Sequence, residues 1–346
     1  MKNVRVVDLF CGIGGLTYGL NKAGLNVVAG VDNDSKCEYA YVSNNKSKFI
    51  LKDINKVRAY DLMRLYGAAK IRVLVGCAPC QPYSGLNQKR PSALGMQPLE
   101  RFAELITQVQ PDVVSMENVR GLALEGKYPV FGQFLNTLRK QGYHVHHGVV
   151  NAADYGVPQD RHRLVLLASK LGPIGMTEPK IGKKPTVADA IGHLPVIRDG
   201  EQYKDDALHQ SRKLSEINKS RIKATSHDGG DSRDWPENLK LSCHLKSSGK
   251  TFRNTVYGRM RWGRPAPTMT TQCVGLGNGR FGHPNQDRAI SLREAALIQT
   301  FPSSYQFVRG RKYNTGDTAR FIGNAVPIAL AEAIGRSIKR HLQAHQ

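Results

Sequence analysis

The sequence predicts a doubly wound, mostly parallel α/β sheet interrupted by a smaller, irregular domain. Three observations carry this. Short β-branched runs alternate with helical periodicity through the first half of the chain. A glycine-rich turn follows the first run. The alternation stops near Gly172 and returns only towards the C-terminus.

In order, Val4–Leu9 reads as a first strand and Leu16–Ala23 as a helix. Val27–Val31 is a second strand, followed by a helix from Ser35 to about Asn44, and a third strand ends near Asp53-Ile54. Val73–Val75 is a strand. Leu99, Phe102, Leu105, Ile106 and Val109 share one helical face that stops before Pro111. Val113–Met116 is a strand, Val130–Leu138 a helix ending towards Gly142, and Val145–Val150 and Leu164–Ala168 pair as late strands. From Gly172 to about Asn254 the chain is rich in Lys, Ser, Asp, Gly and Pro and lacks a period. Ser291–Thr300 and Pro327–Leu342 are helices, the second with proline at its first position, where the missing N–H costs nothing. The expected division is a first domain at 1–171, an irregular domain at 172–264, and a return segment at 265–346 completing the first.

The 346 residues suffice for a sizeable core, and no apolar run approaches a membrane span or a secretory leader. Lys+Arg number 50 against 28 Asp+Glu, a formal charge of +22, which favours a polyanionic partner, nucleic acid first. Asn238 to Gln286 contains no acid but carries Lys240, Lys246, Lys250, Arg253, Arg259, Arg261, Arg264 and Arg280, with Phe252, Tyr257 and Trp262 interleaved. Such a segment suits tracking along phosphates. Of the six cysteines, Cys77 and Cys80 form a C-x-x-C. With no second pair and no histidine at ligand spacing, no metal site is expected, and a disulfide framework is not expected either.

Two features point to chemistry. Asp8–Gly15 is a strand-to-glycine turn suited to a nucleoside, but it lacks the G-x-G-x-x-G spacing of a pyrophosphate site because position 17 is Thr. Asp32, ending the second strand, suits ribose hydroxyls, Asp53 an adenine amine, and Phe10 the adenine ring. Pro79-Cys80-Gln81 places a thiol just past another strand's C-terminal end, where open α/β sheets bind ligands.

Six ordered segments, Asp8–Leu16 (DLFCGIGGL), Gly76–Ser84 (GCAPCQPYS), Glu117-Asn118-Val119, Gln159–Arg163 (QDRHR), Arg264–Thr271 (RPAPTMTT) and Gly323–Pro327 (GNAVP), resemble the motifs of the cytosine-C5 methyltransferases of prokaryotic type. The likeness spans nearly the whole chain outside about 172–254. It implies a Rossmann-like S-adenosylmethionine-dependent methyltransferase fold with a target-recognition domain. It also implies S-adenosylmethionine as cofactor, held by Phe10, Gly12, Ile13, Gly14, Gly15, Asp32, Asp53 and Asn324. Asp32 stands where the family usually has Glu, and Tyr83 where it commonly has Phe.

The chemistry implied is covalent. C5 of cytosine is a poor nucleophile, and a Cys80 thiolate adding at C6 turns the ring into an enamine. Glu117, following its strand, is expected to donate to N3, which requires a raised pKa. Arg163 is expected at O2, and Arg161 beside Cys80, Glu117 or the developing charge. Strand alternation would place Gln159, Arg161 and Arg163 on one face. A base stacked in duplex DNA must be flipped out. Residues 81 to about 97 are expected to close over it, with Gln81, Ser84, Lys89, Arg90, Arg259 and Arg261 as DNA contacts. The expected protein is a monomeric, cytoplasmic, sequence-specific DNA methyltransferase of a restriction-modification system, with no membrane association and with a cognate endonuclease as functional counterpart. The alternatives are a tRNA methyltransferase, whose Cys-Phe-Thr signature is missing here, and a catalytically silent DNA-binding homologue.

Overall fold

The computed structural model describes residues 3–79, 97–124, 129–179, 182–242 and 256–345. They form two compact units, one of 1–155, 162–180 and 326–346, the other of 156–161 and 181–325.

The first unit is built on a seven-stranded sheet: β1 (Val4–Leu9), β2 (Val27–Asp32), β3 (Lys48–Leu51), β4 (Ile71–Gly76), β5 (Val113–Val119), β6 (His144–Asn151) and β8 (His162–Ser169). Its order is β3-β2-β1-β4-β5-β8-β6. The first five strands run parallel, while β8 is antiparallel to both β5 and β6. Apolar runs such as Val6-Val7 and Val73–Val75 are fully buried, as a strand covered on both faces requires. One face is covered by α3 (Ala59–Tyr66), α4 (Gln97–Val109) and α5 (Pro129–Lys140), whose Leu62, Tyr66, Phe102, Ile106, Phe134 and Leu138 join Leu9, Leu74 and Met116 in one core. The other carries α1 (Gly15–Lys22) against α10 (Ile328–Ala344), and α2 (Glu38–Asn44) lies beyond β2.

The expected elements are present, with physically legible shifts. The strand expected at Val113–Met116 runs on to Val119, because β8 pairs with it to the end, so Glu117 lies inside a strand rather than after it. Helix α3 was not foreseen: its apolar face is short and it begins after Arg58, where Asp61 reaches back to the Arg58 N–H. Pro327 caps α10 instead of opening it.

The second unit is largely irregular, as its composition predicts. It holds the two-stranded pair β7 (Gln159–Asp160) and β9 (Ala266–Pro267), with α6 (Val187–Ile191), α7 (Glu216–Lys223), α8 (Leu292–Ile298) and α9 (Thr315–Asn324). One apolar cluster within it joins Leu214, Ile222, Leu276 and Ala289. Buried charge supplements it: Arg288 binds Glu294 through two hydrogen bonds of 2.8 and 2.7 Å, and Glu294 also completes a capping box with Ser291. Chain return to the first unit begins at Val326 rather than at 265, and 172–179 stay with the first unit.

Candidate active site

In the strand order, β1 has β2 on one side and β4 on the other, and chain progression reverses there. The crevice outside the carboxyl ends of such strands is where open α/β sheets take ligands. Both sequence motifs with chemical promise emerge at that point.

At the end of β1, Phe10, Gly12 and Gly14 all adopt positive φ (58°, 51° and 90°), folding the chain sharply into α1. The two glycines serve different ends. A Cβ on Gly14 would lie 2.4 Å from Asn45 Nδ2, so this glycine admits the packed α2 end. A Cβ on Gly12 would meet nothing within 4 Å, so the backbone there borders open space. Asp32 fixes the turn, accepting from the Gly12 N–H at 2.7 Å and the Asp34 N–H at 3.0 Å. Phe10 stands edge-on to Phe102, with ring centroids 6.5 Å apart. Ile13 and Gly15 are buried. Asp53 lies past β3 and accepts from the Asn55 N–H at 2.8 Å. An open glycine backbone beside an acid and an aromatic ring is a donor set that fits a nucleoside. Asn324 ends α9 in the second unit, exposed.

At the end of β4, Asn118 donates from Nδ2 to the Ala78 carbonyl (3.2 Å) and fixes the start of the Ala78-Pro79 segment. Cys80 itself, with Gln81, Ser84, Lys89 and Arg90, lies outside the described residues. Glu117, on the adjacent β5, has 9% of its side chain exposed and pairs with Arg163 of β8, Nε to Oε1 at 3.1 Å. The two are diagonal neighbours on one sheet face, since Glu117 faces Val165 and Val119 faces Arg163. The ion pair lacks hydrogen-bond alignment, leaving Oε1 of Glu117 buried with no hydrogen-bond donor among the described residues. Arg163 also donates to the His162 carbonyl at 2.8 Å. Burial beside Glu117 pushes the Cys77 thiol well up, which makes it a poor thiolate.

Two expectations need correction. Gln159, Arg161 and Arg163 do not share a strand face. β7 ends at Asp160, Arg161 bridges between strands, and Arg163 belongs to β8 of the other sheet, so alternation does not carry through. Arg161 is buried in the second unit, donating to the carbonyls of Met269 (2.9 Å), Gly323 (3.1 Å) and Ala325 (3.3 Å) and to Gln159 Oε1 (3.3 Å). It thereby clasps three of the sequence motifs together. Gly323 is obligatory in that clasp, since a Cβ there would lie 2.2 Å from the Thr270 carbonyl oxygen.

Arg259, expected on DNA, is instead fully buried and donates to the carbonyls of Ile222, Thr225, His283 and Gln286 and to Asp287. An acid-poor, irregular segment needs donors for its inward carbonyls, and arginine supplies five. Arg261 is exposed. Sequence reasoning also missed Gln299, which receives the Gln159 amide at 2.9 Å and donates to the Ile322 carbonyl at 2.6 Å. A lone polar residue on a helix face carries no signal for that role.

Against known proteins, the family described as C-5 cytosine-specific DNA methylase matches residues 4–340. The chain is 48% identical to the Type II methylase M.HgiDII of Herpetosiphon aurantiacus over 340 residues, covering 98% of this chain and 96% of that protein. It is 30% identical to the Type II methyltransferase M1.HphI of Haemophilus parahaemolyticus, covering 97% and 87%. Among solved structures, the crystal structure of a putative DNA modification methyltransferase encoded within an E. coli prophage superposes with a TM-score of 0.74 at 22% identity, covering 98% of this chain and 99% of the other. At that identity the likeness speaks for the fold.

Proposed function

The chain belongs to the C-5 cytosine-specific DNA methylases, and from that premise we propose that it methylates C5 of a cytosine within a specific sequence of duplex DNA. Glu117 is the observation that carries this reading: a carboxyl with one oxygen lacking a hydrogen-bond donor, set against Arg163 one strand away from the segment that leads to Cys80.

Cys80 is the nucleophile. Its thiolate adds to C6 of the flipped cytosine and electron density moves towards C5, N3 and O2. Glu117 delivers a proton to N3 and Arg163 neutralises charge at O2, stabilisation that acts only as the charge develops. Asn118 is a positioning residue, holding the Ala78 carbonyl and so the start of the nucleophile's loop. Arg161 positions the motifs of the second unit through its carbonyl contacts. S-adenosylmethionine, held by Phe10, Gly12, Ile13, Gly14, Gly15, Asp32, Asp53 and Asn324, supplies an electrophilic methyl group when bound. Afterwards the C5 proton leaves to water, N3 gives its proton back to Glu117, the C6–S bond breaks and Cys80 is released as thiolate.

The second unit, with its exposed Arg261 and the adjoining basic stretch, is assigned to target recognition. Gln81, Ser84, Lys89 and Arg90 are assigned to DNA contacts around the flipped base, whose extrusion costs about a few kcal/mol. No described helix is long and apolar enough to cross a membrane. A monomer in the cytoplasm, protecting host DNA from a cognate endonuclease, completes the proposal.

Incubation with tritiated S-adenosylmethionine and either plasmid DNA or tRNA tests it: label in duplex DNA alone is expected. A duplex carrying 5-fluorocytosine in the site should trap a covalent adduct, and Cys80→Ala should abolish the adduct and turnover while DNA binding persists. Label in tRNA, or binding and turnover lost together, would overturn the assignment.

A further inference from the structure

Helices α1 and α10 run parallel in close contact. A Cβ on Gly19 would lie 2.4 Å from that of Ala331, and one on Gly335 would lie 2.7 Å from that of Ala23. Both helices therefore head for the same edge of the sheet. It is the edge away from the chemistry. α1 leaves the cofactor turn at Gly15 and ends at Lys22, and the chain re-enters the sheet at Val27. β1, which runs between the two edges, has six residues and spans about 20 Å.

A cleft of about 410 Å³ opens there, between the two helices and the segment at Thr177. The Thr177 N–H donates to Ser337 Oγ at 2.8 Å, which fixes that wall. Four cations line the cleft, Lys22, Arg336, Lys339 and Arg340, against one acid, Glu332. Glu332 divides its oxygens between Lys22 Nζ (3.1 Å) and Arg336 Nη1 (2.6 Å). Lys339 and Arg340 have no acid within 4 Å among the described residues. Glu178, next to Thr177 in sequence, acts on Tyr155 instead.

Helix ends account for only part of this charge. Cations are favoured in the last turn of a helix. Lys22 stands in the last turn of α1, and Lys339 reaches over the same end, its Nζ 3.1 Å from the place a Cβ on Gly24 would take. Arg336 and Arg340 precede the last turn of α10, where the basic residue is His341. Like charges gathered in a concavity repel one another and raise the local potential for an anion.

The chain carries +22 and belongs to a family that acts on DNA, so backbone phosphates are the anion it meets in an array. Phosphate contacts hold a duplex without reading its bases. DNA is stiff over about 150 bp, so a duplex seated at the catalytic edge does not bend back to the opposite one. A duplex in this cleft is a second segment.

We propose that the cleft of Lys22, Arg336, Lys339 and Arg340 is a second, non-catalytic DNA-binding surface, which holds the backbone of another duplex segment while the first occupies the catalytic edge. The proposal rests on duplex DNA being the substrate, and on no catalytic residue. Its consequence is a search in which the enzyme passes between segments without full release.

The test uses the whole protein. A duplex with 5-fluorocytosine in the target site fills the catalytic site covalently, and a short fluorescent duplex of unrelated sequence is titrated onto that adduct at about 50 to 200 mM salt. The wild-type adduct should bind it in the non-specific range, with Kd about 10⁻⁴–10⁻⁶ M. The double variant Lys339→Gln/Arg340→Gln should bind it about tenfold more weakly, with a salt slope shallower by about two. Trapping, and single-turnover methyl transfer to a short duplex, should match wild type in that variant.

A wild-type adduct that takes no second duplex, or a variant adduct that takes it as wild type does, overturns the proposal. If the double variant does not fold, Arg340→Glu, a change at one exposed side chain, decides. If no adduct forms, the catalytic reading fails instead. The number of unrelated duplexes bound per free enzyme, expected to fall from two in wild type to one in the variant, then still rules on the cleft.

Discussion

Replacing Glu117 by Gln separates the chemistry of the site from its stability. The change preserves side-chain shape and leaves Oε1 as an acceptor beside Arg163, but removes a group that can pair as the anion and deliver a proton as the acid. At 3.1 Å and an effective dielectric constant of about 20, the Glu117–Arg163 attraction is about 5 kcal/mol, before the desolvation of two nearly buried groups offsets most of it. Because the amide still faces the guanidinium, the stability loss should be only about 1–3 kcal/mol in urea unfolding. The rate should suffer more. Losing the group that meets developing charge on the base costs about 10²–10³, or about 3–4 kcal/mol. Single-turnover transfer of tritiated methyl to duplex DNA, with enzyme and cofactor saturating and well below the unfolding midpoint, measures the loss free of unfolding. The double variant with Arg163→Met should recover part of the stability and none of the rate. Transfer by Glu117→Gln within about threefold of wild type would refute a proton delivered to N3 by this carboxyl.

Gly12→Ala should fold, since its Cβ meets no protein atom, but it should weaken cofactor binding by filling the space the turn borders and by straining a φ of +51° by about 1 kcal/mol. Isothermal titration against S-adenosylhomocysteine reads this, and unchanged affinity would place the ligand elsewhere. Arg259→Met should destabilise the protein by about 3 kcal/mol or more, because buried carbonyls lose their donor. Arg261→Ala should instead leave the unfolding midpoint in place and reduce the salt slope of DNA binding by about one. The reverse pattern would exchange the two roles. His283 accepts from the N–H groups of Asn285 and Gln286 through Nδ1, and burial, helped by Arg288 and Arg259, lowers its pKa to about 4 against the pull of Glu294. A depressed histidine contributes stability above its unfolded pKa near 6.5 and loses it as pH falls through about 4, a decline of at most about 3 kcal/mol. His283→Asn, which does not titrate, should flatten that part of the denaturation profile, and an unchanged slope would assign it to another group.

Much of the first unit was legible because its signals are local. Short strands rich in β-branched residues announce the parallel sheet, and the glycines after β1 announce a turn that takes positive φ at Gly12 and Gly14. The candidate site was legible in part. Asp32 was found because it ends β2 beside the reversal of chain order, and Glu117 because it follows the apolar run Val113–Met116. Their partners were not, because Gly12 N–H to Asp32 and Arg163 to Glu117 join residues distant in sequence. The alternation from Gln159 to Arg163 misled because period two holds only while a strand continues, and this one breaks at Arg161 to change sheets.

The basic stretch around Arg259 shows the same boundary from the other side. Positive charge with aromatic neighbours describes a surface for phosphates equally well as an interior in which guanidinium groups satisfy carbonyls, and composition cannot separate the two. The chain by itself determined its alternating architecture, its family and the residue types that do the chemistry, since these depend on local propensity and on ordered motifs. Only the tertiary structure decided which arginines are buried, that Asp8 is sealed in with one oxygen unpartnered, and that Glu117 meets Arg163, since burial and pairing belong to the packed chain and to no segment of it.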